Sequence, residues 1–225
     1  MSDLFDRLVR LSEAGHARDI SDLMTDARFA DAERTADAAV LIAVTDRPTG
    51  LMQRSVRPEN NGLKQRSDRP HYDGPGVILT QRPTTMRDHP GQVAFPGGKL
   101  EPGEDAVTAA LREAEEELAL DRDQVRLIGT TDRYQTGTGF DITPVLGVIA
   151  PELPLRADPR EVESWFEAPL SLVMDADNWT RNEVFWKGAM RQYLELDYRG
   201  YRIWGVTAAI CYNLSRRLEW MEATQ

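Results

Sequence analysis

The most informative stretch of the chain is FPGGKLEPGEDAVTAALREAEEELAL, residues 95–120. Proline and glycine in its first half predict a loop, because both residues favour turns over regular structure. Glu104 and Asp105 then lie where the first turn of a helix prefers acidic side chains, since the helix dipole is positive there. The second half, from Asp105 to Leu120, therefore predicts a helix that follows a glycine-rich loop.

The predicted helix has an apolar stripe with three carboxylates beside it. At about 100° per residue, Glu113, Glu116 and Glu117 fall on an arc of roughly 100° next to the stripe. Glu115 points elsewhere. We expect the stripe to pack against a sheet; its members are Val107, Ala110, Leu111, Ala114 and Leu118.

Three carboxylates in this position repel one another, and partial burial raises the cost. A divalent cation relieves that repulsion, and hard oxygen ligands suit Mg²⁺ or Mn²⁺. Gly97 and Gly98, just upstream, let a backbone carbonyl approach the same ion. The alternative for a Glu-rich helix is a solvated acidic face. Loop and helix together favour a metal site.

The spacing of the charged residues resembles the Nudix box, G-x5-E-x7-R-E-U-x-E-E-x-G-U with U apolar. Gly98 is followed after five residues by Glu104, and after seven more by the run REAEEELAL at 112–120. One position departs from the pattern, because Ala119 stands where the box has glycine. A glycine there ends the helix in many proteins, so the departure concerns local geometry more than chemistry.

A second motif, upstream of the Nudix box, indicates one subfamily of the Nudix superfamily. ILTQRPTTMRDHPGQVAFPGG at 78–98 is similar to the signature L-L-T-x-R-S-x-x-L-R-x-H-x-G-x-V-x-F-P-G-G of coenzyme A pyrophosphatases, with Pro83 and Met86 as departures. YRIWGVTA at 201–208 is similar to the C-terminal segment of the same enzymes. The first motif and the Nudix box together cover about a fifth of the chain.

The resemblance implies an α+β Nudix fold, an α/β/α sandwich with a mixed β-sheet between helical layers. It implies hydrolysis of the diphosphate of coenzyme A or acyl-CoA to 3′,5′-ADP and 4′-phosphopantetheine or its acyl form, with Mg²⁺ or Mn²⁺ as cofactor. One alternative is a Nudix pyrophosphatase for ADP-ribose, a nucleoside triphosphate or another nucleoside diphosphate derivative. A second alternative is a non-catalytic Nudix module that senses nucleotides.

The resemblance also implies roles for individual residues. Glu113, Glu116 and Glu117 are the expected metal ligands, with the carbonyl of Gly97 as a further one. Glu113 doubles as the base or as the group that orients water. Arg112 is expected to hold a carboxylate by a charge-assisted bond, and Glu104 to support the loop and the metal shell.

Outside the Nudix box, Arg82, Arg87 and His89 are the expected substrate-binding residues, because coenzyme A carries a 3′-phosphate besides its diphosphate. For Arg87 and His89 the alternative is packing of their loop, and for Arg82 it is a surface salt bridge. Another acidic ligand often comes from outside the box in this superfamily. Glu161 and Glu163 are the candidates for it.

Composition excludes several classes of function. The 225 residues include 27 Lys and Arg against 37 Asp and Glu, a net charge of −10, which argues against an extended nucleic-acid interface. Cys211 is the only cysteine, so an intramolecular disulfide is impossible. The charge-free run 203–215 is too short for a membrane span of about 20 residues. With no secretory signal at residues 1–7, we expect a cytoplasmic protein with a small-molecule substrate, no membrane partner, and the homodimeric state common in the family.

The pattern along the chain predicts one domain. We expect an N-terminal helical extension at 1–35, with one or two amphipathic helices in 2–30, and a Nudix hydrolase domain at 36–225. The polar, locally basic segment 54–75 predicts a mobile surface insertion, with a substrate-covering loop as the alternative. A closing helix is predicted at 203–221. The predicted strands are 38–44, 76–80, 125–130, 143–149 and 162–166.

Overall fold

The computed structural model of the protein describes residues 4–26, 36–48, 55–56, 74–186 and 189–219. In this part of the chain the helices are α1 (Leu4–His16), α2 (Ala106–Leu118), α3 (Leu170–Val173) and α4 (Val206–Leu218). The strands are β1 (Ala36–Thr45), β2 (Ser55–Val56), β3 (Gly76–Gln81), β4 (Val93–Ala94), β5 (Gly97–Lys99), β6 (Val125–Thr130), β7 (Tyr134–Gln135), β8 (Phe140–Ile149), β9 (Ser164–Pro169), β10 (Thr180–Trp186), β11 (Ala189–Tyr198) and β12 (Tyr201–Trp204). Each predicted strand corresponds to an observed one, with ends that differ by a few residues.

The main sheet is mixed, as the sequence predicts. Its order is β2-β9-β3-β1-β8-β6, and the short strands β4, β5 and β7 pair with β3, β1 and β8. The central strands β1 and β8 are parallel over ten residues, from Ala36 opposite Phe140 to Thr45 opposite Ile149. The other pairings in this sheet are antiparallel. Parallel strands need cover on both faces, which explains why β1 is apolar almost throughout.

Alternate residues of β1 supply two separate cores. Leu41 and Ala43 pack with the small side chains of α2 on one face of the sheet. Ile42 and Val44 pack on the opposite face, in a larger core that includes residues of α1, α3 and α4. The sheet therefore lies between helical layers, and the predicted α/β/α sandwich is confirmed.

A second sheet, not predicted from the sequence, has three antiparallel strands in the order β10-β11-β12. The buried side chains Leu194, Tyr198, Tyr201 and Ile203 join it to the larger core. The predicted start of the closing helix at residue 203 is wrong, because Ile203 and Trp204 belong to β12. Gly205 has a φ of 65° and separates that strand from α4.

Residues 4–26, the described part of the N-terminal segment, include one α-helix, α1, which lies against α4. The two helices approach closely at Gly15, where a Cβ atom would lie 2.0 Å from the carbonyl oxygen of Arg217. Only four residues of the 54–75 segment, 55–56 and 74–75, are among those described. The predicted mobile insertion therefore falls almost wholly outside the described residues. No helix among the described residues is long and apolar enough to cross a membrane.

Candidate metal and active site

Two adjacent glycines allow α2 to lie directly against the main sheet. Gly97 and Gly98 pair with Val40 and Ala39 of β1. A Cβ atom on Gly97 would lie 2.4 Å from the carbonyl oxygen of Ala39, and one on Gly98 would lie 2.4 Å from Oε1 of Glu113. Any larger residue would therefore push the loop away from the strand or the helix. The glycine pair brings the backbone up to a glutamate of α2.

Side chains fix both turns that precede the helix. Oδ1 of Asp105 accepts a hydrogen bond from the amide of Thr108 at 2.9 Å, which satisfies one free donor of the first helical turn. Oε2 of Glu104 accepts from the amide of Glu101 at 2.9 Å and holds the loop. The predicted helix start is therefore confirmed, with Asp105 as its N-cap.

The helix ends where the Nudix box places its glycine. Ala119 adopts a left-handed conformation, with φ 53° and ψ 33°, and its amide donates to backbone carbonyl oxygens of the last turn. Glycine favours this conformation because it lacks a Cβ atom. The alanine reproduces the turn, so its departure from the pattern leaves the helix end in the expected geometry.

Arg112 connects the helix to the loop. Its Nε and Nη2 atoms donate to the two carboxylate oxygens of Glu104, both at 3.0 Å. Nη1 donates to Glu113 at 3.0 Å and to Glu116 at 3.2 Å, and Nη2 also reaches the carbonyl of Lys99 at 3.1 Å. The bonds from Arg112 lower the pKa of Glu104, and the amide of Glu101 adds to the effect. Arg112 therefore fixes three carboxylates at once.

Three glutamates converge beside this network. One carboxylate oxygen each of Glu113, Glu117 and Glu161 lies within 4.8 Å of the others. Glu117 is only 6% exposed, and its Oε2 has no hydrogen-bond partner among the described residues. Burial, with the charges of Glu113 and Glu161, raises the pKa of Glu117 to about 8, while Arg82 and the Gly97 amide oppose the shift.

The same cause acts on Glu113. Burial raises its pKa, the bond from Arg112 opposes the rise, and the charges of Glu116 and Glu161 add to it. A buried carboxylate oxygen without a partner, beside two like charges, is stabilised by a cation. Carboxylate oxygens are the donors that Mg²⁺ and Mn²⁺ prefer. The donor set therefore fits a divalent ion.

Two other glutamates of α2 lie outside this group of three. Glu116 is about half exposed and bonds to Arg112, whereas Glu115 pairs with Arg122 on the outer side of the helix, as its position on the wheel predicts. Of the two candidates from outside the box, Glu161 joins the group and Glu163 does not. Oε2 of Glu163 instead accepts from the amide of Thr84 at 3.0 Å.

The loop between β3 and β4 carries the predicted substrate-binding residues. Arg82 lies close enough to Glu117 to lower its pKa, and the Arg82 Nε is buried with no hydrogen-bond partner among the described residues. Arg87 and His89 are exposed farther along the loop. The structure therefore brings Arg82 to the carboxylate group and leaves the other two on the loop surface.

Side-chain bonds that the sequence did not reveal hold this loop at its base. Nε2 of Gln81 donates to the carbonyl of Gly91 at 3.3 Å, and Oε1 of Gln81 accepts from Ser164 at 3.2 Å. The amide of Arg82 donates to the carbonyl of Gln92 at 2.9 Å. Gln81 occupies a position that the subfamily signature leaves unspecified, so the pattern carried no signal for it.

The geometry and the motif agree with the family comparison. Residues 69–186, slightly more than half of the chain, match the NUDIX domain family. The chain belongs to this family. It is a hydrolase of nucleoside diphosphate derivatives, and Nudix hydrolases use divalent metal cations.

Among its relatives is a protein of Escherichia coli K12 named "Uncharacterized Nudix hydrolase NudL". It is 39% identical over 145 residues, which are 64% of this chain and 76% of the relative. Among solved structures, the Nudix hydrolase RenU of M. smegmatis is 21% identical, over 84% of this chain and 86% of RenU, with a TM-score of 0.49. An Ap4A hydrolase of C. elegans is 18% identical, over 61% and 82% of the two chains, with a TM-score of 0.42.

Proposed function

We propose that the protein hydrolyses the diphosphate of coenzyme A or acyl-CoA to 3′,5′-ADP and 4′-phosphopantetheine or its acyl form, with Mg²⁺ or Mn²⁺. One observation carries the proposal. The stretch that resembles the coenzyme A signature, residues 78–98, runs from β3 to β5 and includes Arg82, which lies beside the buried carboxylate of Glu117 in α2. A cation next to metal-binding carboxylates suits a diphosphate, which carries negative charge on both phosphorus centres.

In this proposal Glu113, Glu117 and Glu161 hold the divalent ion, with Glu116 and the carbonyl of Gly97 as further ligands. The bound ion supplies a Lewis acid that activates water and neutralises the charge that develops on the leaving phosphate.

The remaining groups act on water and on the substrate. Glu113 orients the attacking water and accepts its proton, as an oxygen–phosphorus bond forms and the diphosphate bridge breaks. Arg112 keeps the carboxylate of Glu113 in place, and Glu104 keeps Arg112 in place. Arg82 contacts the diphosphate. Arg87 and His89 lie on the loop where we place the 3′-phosphate.

The test is mass-resolved product analysis of coenzyme A incubated with the full chain, with Mg²⁺, with Mn²⁺ and with EDTA. Metal-dependent formation of 3′,5′-ADP and phosphopantetheine is the expected result. Glu117→Gln is the inactive control, and Glu115→Gln is the matched control on the outer side of α2. ADP-ribose and nucleoside triphosphates are tested in parallel.

Strong turnover of ADP-ribose with inert coenzyme A would replace the proposed substrate by another nucleoside diphosphate derivative. Tight nucleotide binding without turnover of any substrate would favour a sensing module. The cluster of Glu113, Glu117 and Glu161 supports the hydrolase over that second alternative, because a protein that only binds nucleotide has little reason to keep carboxylates that repel one another. A cytoplasmic location and the absence of a nucleic-acid partner stay predictions.

A further inference from the structure

A short segment before and into β9, residues 158–164, contacts both halves of the candidate site. At its start, the amide of Asp158 donates to the carbonyl of Glu117 in α2 at 2.9 Å. At its end, the segment bonds to the loop between β3 and β4, residues 82–92, which we call the substrate loop. The segment therefore connects the helix that carries the buried carboxylates to the loop that carries the expected substrate-binding residues.

Three hydrogen bonds join the end of this segment to the substrate loop and to the strand residue before it. The amide of Glu163 donates to the carbonyl of Gln81 at 2.8 Å, and the hydroxyl of Ser164 donates to Oε1 of Gln81 at 3.2 Å. These two bonds hold the base of the loop. The third bond reaches the loop itself, where Oε2 of Glu163 accepts from the amide of Thr84 at 3.0 Å.

The bond from Thr84 to Glu163 attaches the outer part of the substrate loop. Between Pro83 and His89, it is the one hydrogen bond among the described residues that joins the loop to another element. A bond inside the loop runs from the amide of Met86 to the carbonyl of Pro83 at 3.1 Å. Most residues of 84–90 are exposed, so packing contributes little to their position. Loss of the Glu163 carboxylate would therefore leave this part attached mainly through its two ends.

We propose that Glu163 is a positioning residue that keeps the substrate loop in the conformation that binds the 3′-phosphate of the substrate, an inference that rests on the function proposed above. Arg87 and His89, where we place the 3′-phosphate, belong to the part of the loop that the bond to Thr84 holds. A loop that is ordered in only a fraction of the molecules lowers the apparent affinity by that fraction. Glu163 therefore acts on substrate affinity through the loop.

This role requires an acceptor oxygen at residue 163 and does not require a charge. Glutamine keeps a side-chain oxygen that accepts from the amide of Thr84, whereas alanine has none. Glu161, two residues earlier, provides the contrast, because it belongs to the carboxylate group that fits a metal ion. A metal ligand depends on the charge as well as on the oxygen. The two substitutions of Glu163 therefore separate a positioning role from a role in metal binding.

The kinetic test compares coenzyme A with dephospho-coenzyme A, which lacks the 3′-phosphate. Glu163→Ala should raise KM for coenzyme A by about 3- to 10-fold, the contribution of one hydrogen bond, with little change in kcat or in the Mg²⁺ requirement. KM for dephospho-coenzyme A should rise less. Glu163→Gln should restore most of the lost affinity for coenzyme A.

Asp175→Ala is the matched control. Oδ1 of Asp175 accepts from the amide of Asp177 at 3.0 Å, in the turn between α3 and β10. The substitution removes the same kind of bond between a carboxylate and a backbone amide, at a turn outside the substrate loop. KM for both substrates should stay at the wild-type value.

Amide hydrogen exchange of the full chain, without substrate or metal, tests the loop directly. Exchange in peptides that cover residues 82–92 should be about 3- to 10-fold faster in Glu163→Ala than in the wild type, since one hydrogen bond is lost. Glu163→Gln and Asp175→Ala should exchange as the wild type does. This measurement does not depend on the substrate. An inert coenzyme A would therefore count against the proposed function, while the exchange rates still decide whether Glu163 holds the loop.

Three results would overturn the inference. Unchanged exchange of residues 82–92 in Glu163→Ala would remove the positioning role, whatever the substrate is. Equal rises in KM for coenzyme A and dephospho-coenzyme A would remove the assignment to the 3′-phosphate. A lower kcat or a higher Mg²⁺ requirement in both Glu163→Ala and Glu163→Gln would assign Glu163 to metal binding or proton transfer instead.

Discussion

The two sides of helix α2 use the same amino acid in different ways. On the inner side, Glu113 and Glu117 face the sheet, and burial raises the pKa of both carboxyls. On the outer side, Glu115 is about half exposed and pairs with Arg122, and Glu116, between the two sides, is about half exposed and pairs with Arg112. The difference shows that burial and neighbouring charge, rather than residue type, separate a candidate metal ligand from a solvated carboxylate.

The largest expected effect comes from removing the inner charge. Glu117→Gln should reduce turnover by about 100-fold or more, since even residues that only support a metal ligand account for about 10–100-fold. Glu115→Gln should leave turnover unchanged. Steady-state rates at saturating Mg²⁺ measure both. Equal rates in the two variants would remove the distinction between the sides of the helix.

Glu116 tests where the boundary between the sides lies. Its carboxylate bonds to Arg112, which also holds Glu113. We expect Glu116→Gln to reduce turnover by about 10–100-fold, the range of a group that ligates weakly or supports a ligand. Titration of activity with Mn²⁺ should show a higher metal requirement for this variant. A rate and a metal requirement like those of Glu115→Gln would place Glu116 with the solvated carboxylates.

The inner side should also make the metal-free protein sensitive to pH. The pKa of Glu117 is about 8 in the folded chain against 4.5 as its ordinary value, so the folded state holds the proton more tightly than the unfolded state. Stability should therefore fall as pH rises from about 4.5 to about 8, by on the order of a few kcal/mol.

Urea unfolding in EDTA at pH 5 and pH 8 measures that loss. Glu117→Gln should show a smaller loss between the two values and should be more stable than the wild type at pH 8. Saturating Mg²⁺ should reduce the loss in the wild type. An equal loss of unfolding free energy between pH 5 and pH 8 in the wild type and in Glu117→Gln, both in EDTA, would contradict the burial of Glu117.

The smallest effect concerns the end of the same helix. Ala119→Gly should stabilise the protein by about 1 kcal/mol or less, because glycine adopts the left-handed conformation without a steric penalty. Ala114→Gly, inside the same helix, should destabilise it by about 1 kcal/mol or more. Urea midpoints measure both. A destabilised Ala119→Gly variant would show that the Cβ atom of Ala119 adds more stability than its left-handed backbone conformation costs.

The sequence predicts the centre of the fold and the inner carboxylates well, because periodicity and spacing both report on them. The strand-length apolar run of β1 and the i, i+4 spacing of Glu113 and Glu117 are local signals. The bond from Arg112 to Glu104 also joins two positions of one motif. Each of these features depends on residues that are close together in the chain.

Features that depend on distant residues could not be predicted in the same way. Nothing in the local sequence separates Glu161 from Glu163, and only the fold shows that one joins the carboxylate group while the other bonds to Thr84. The sequence does not predict the small three-stranded sheet, because charged residues such as Arg181 and Glu195 interrupt the apolar alternation of its exposed strands. Gly205, which follows β12, lies inside a charge-free run, 203–215, that also contains most of α4.

The parallel pairing of β1 and β8 has a consequence for the order in which the chain folds. Residues 36–45 must meet residues 140–149, a closure of roughly a hundred residues, and such long-range contacts slow folding. During synthesis β1 and the helix with its carboxylates leave the ribosome well before β8 does. The antiparallel partners β3 and β5 are synthesised earlier and pair with one edge of β1. The other edge of β1 stays unpaired until β8 has been synthesised.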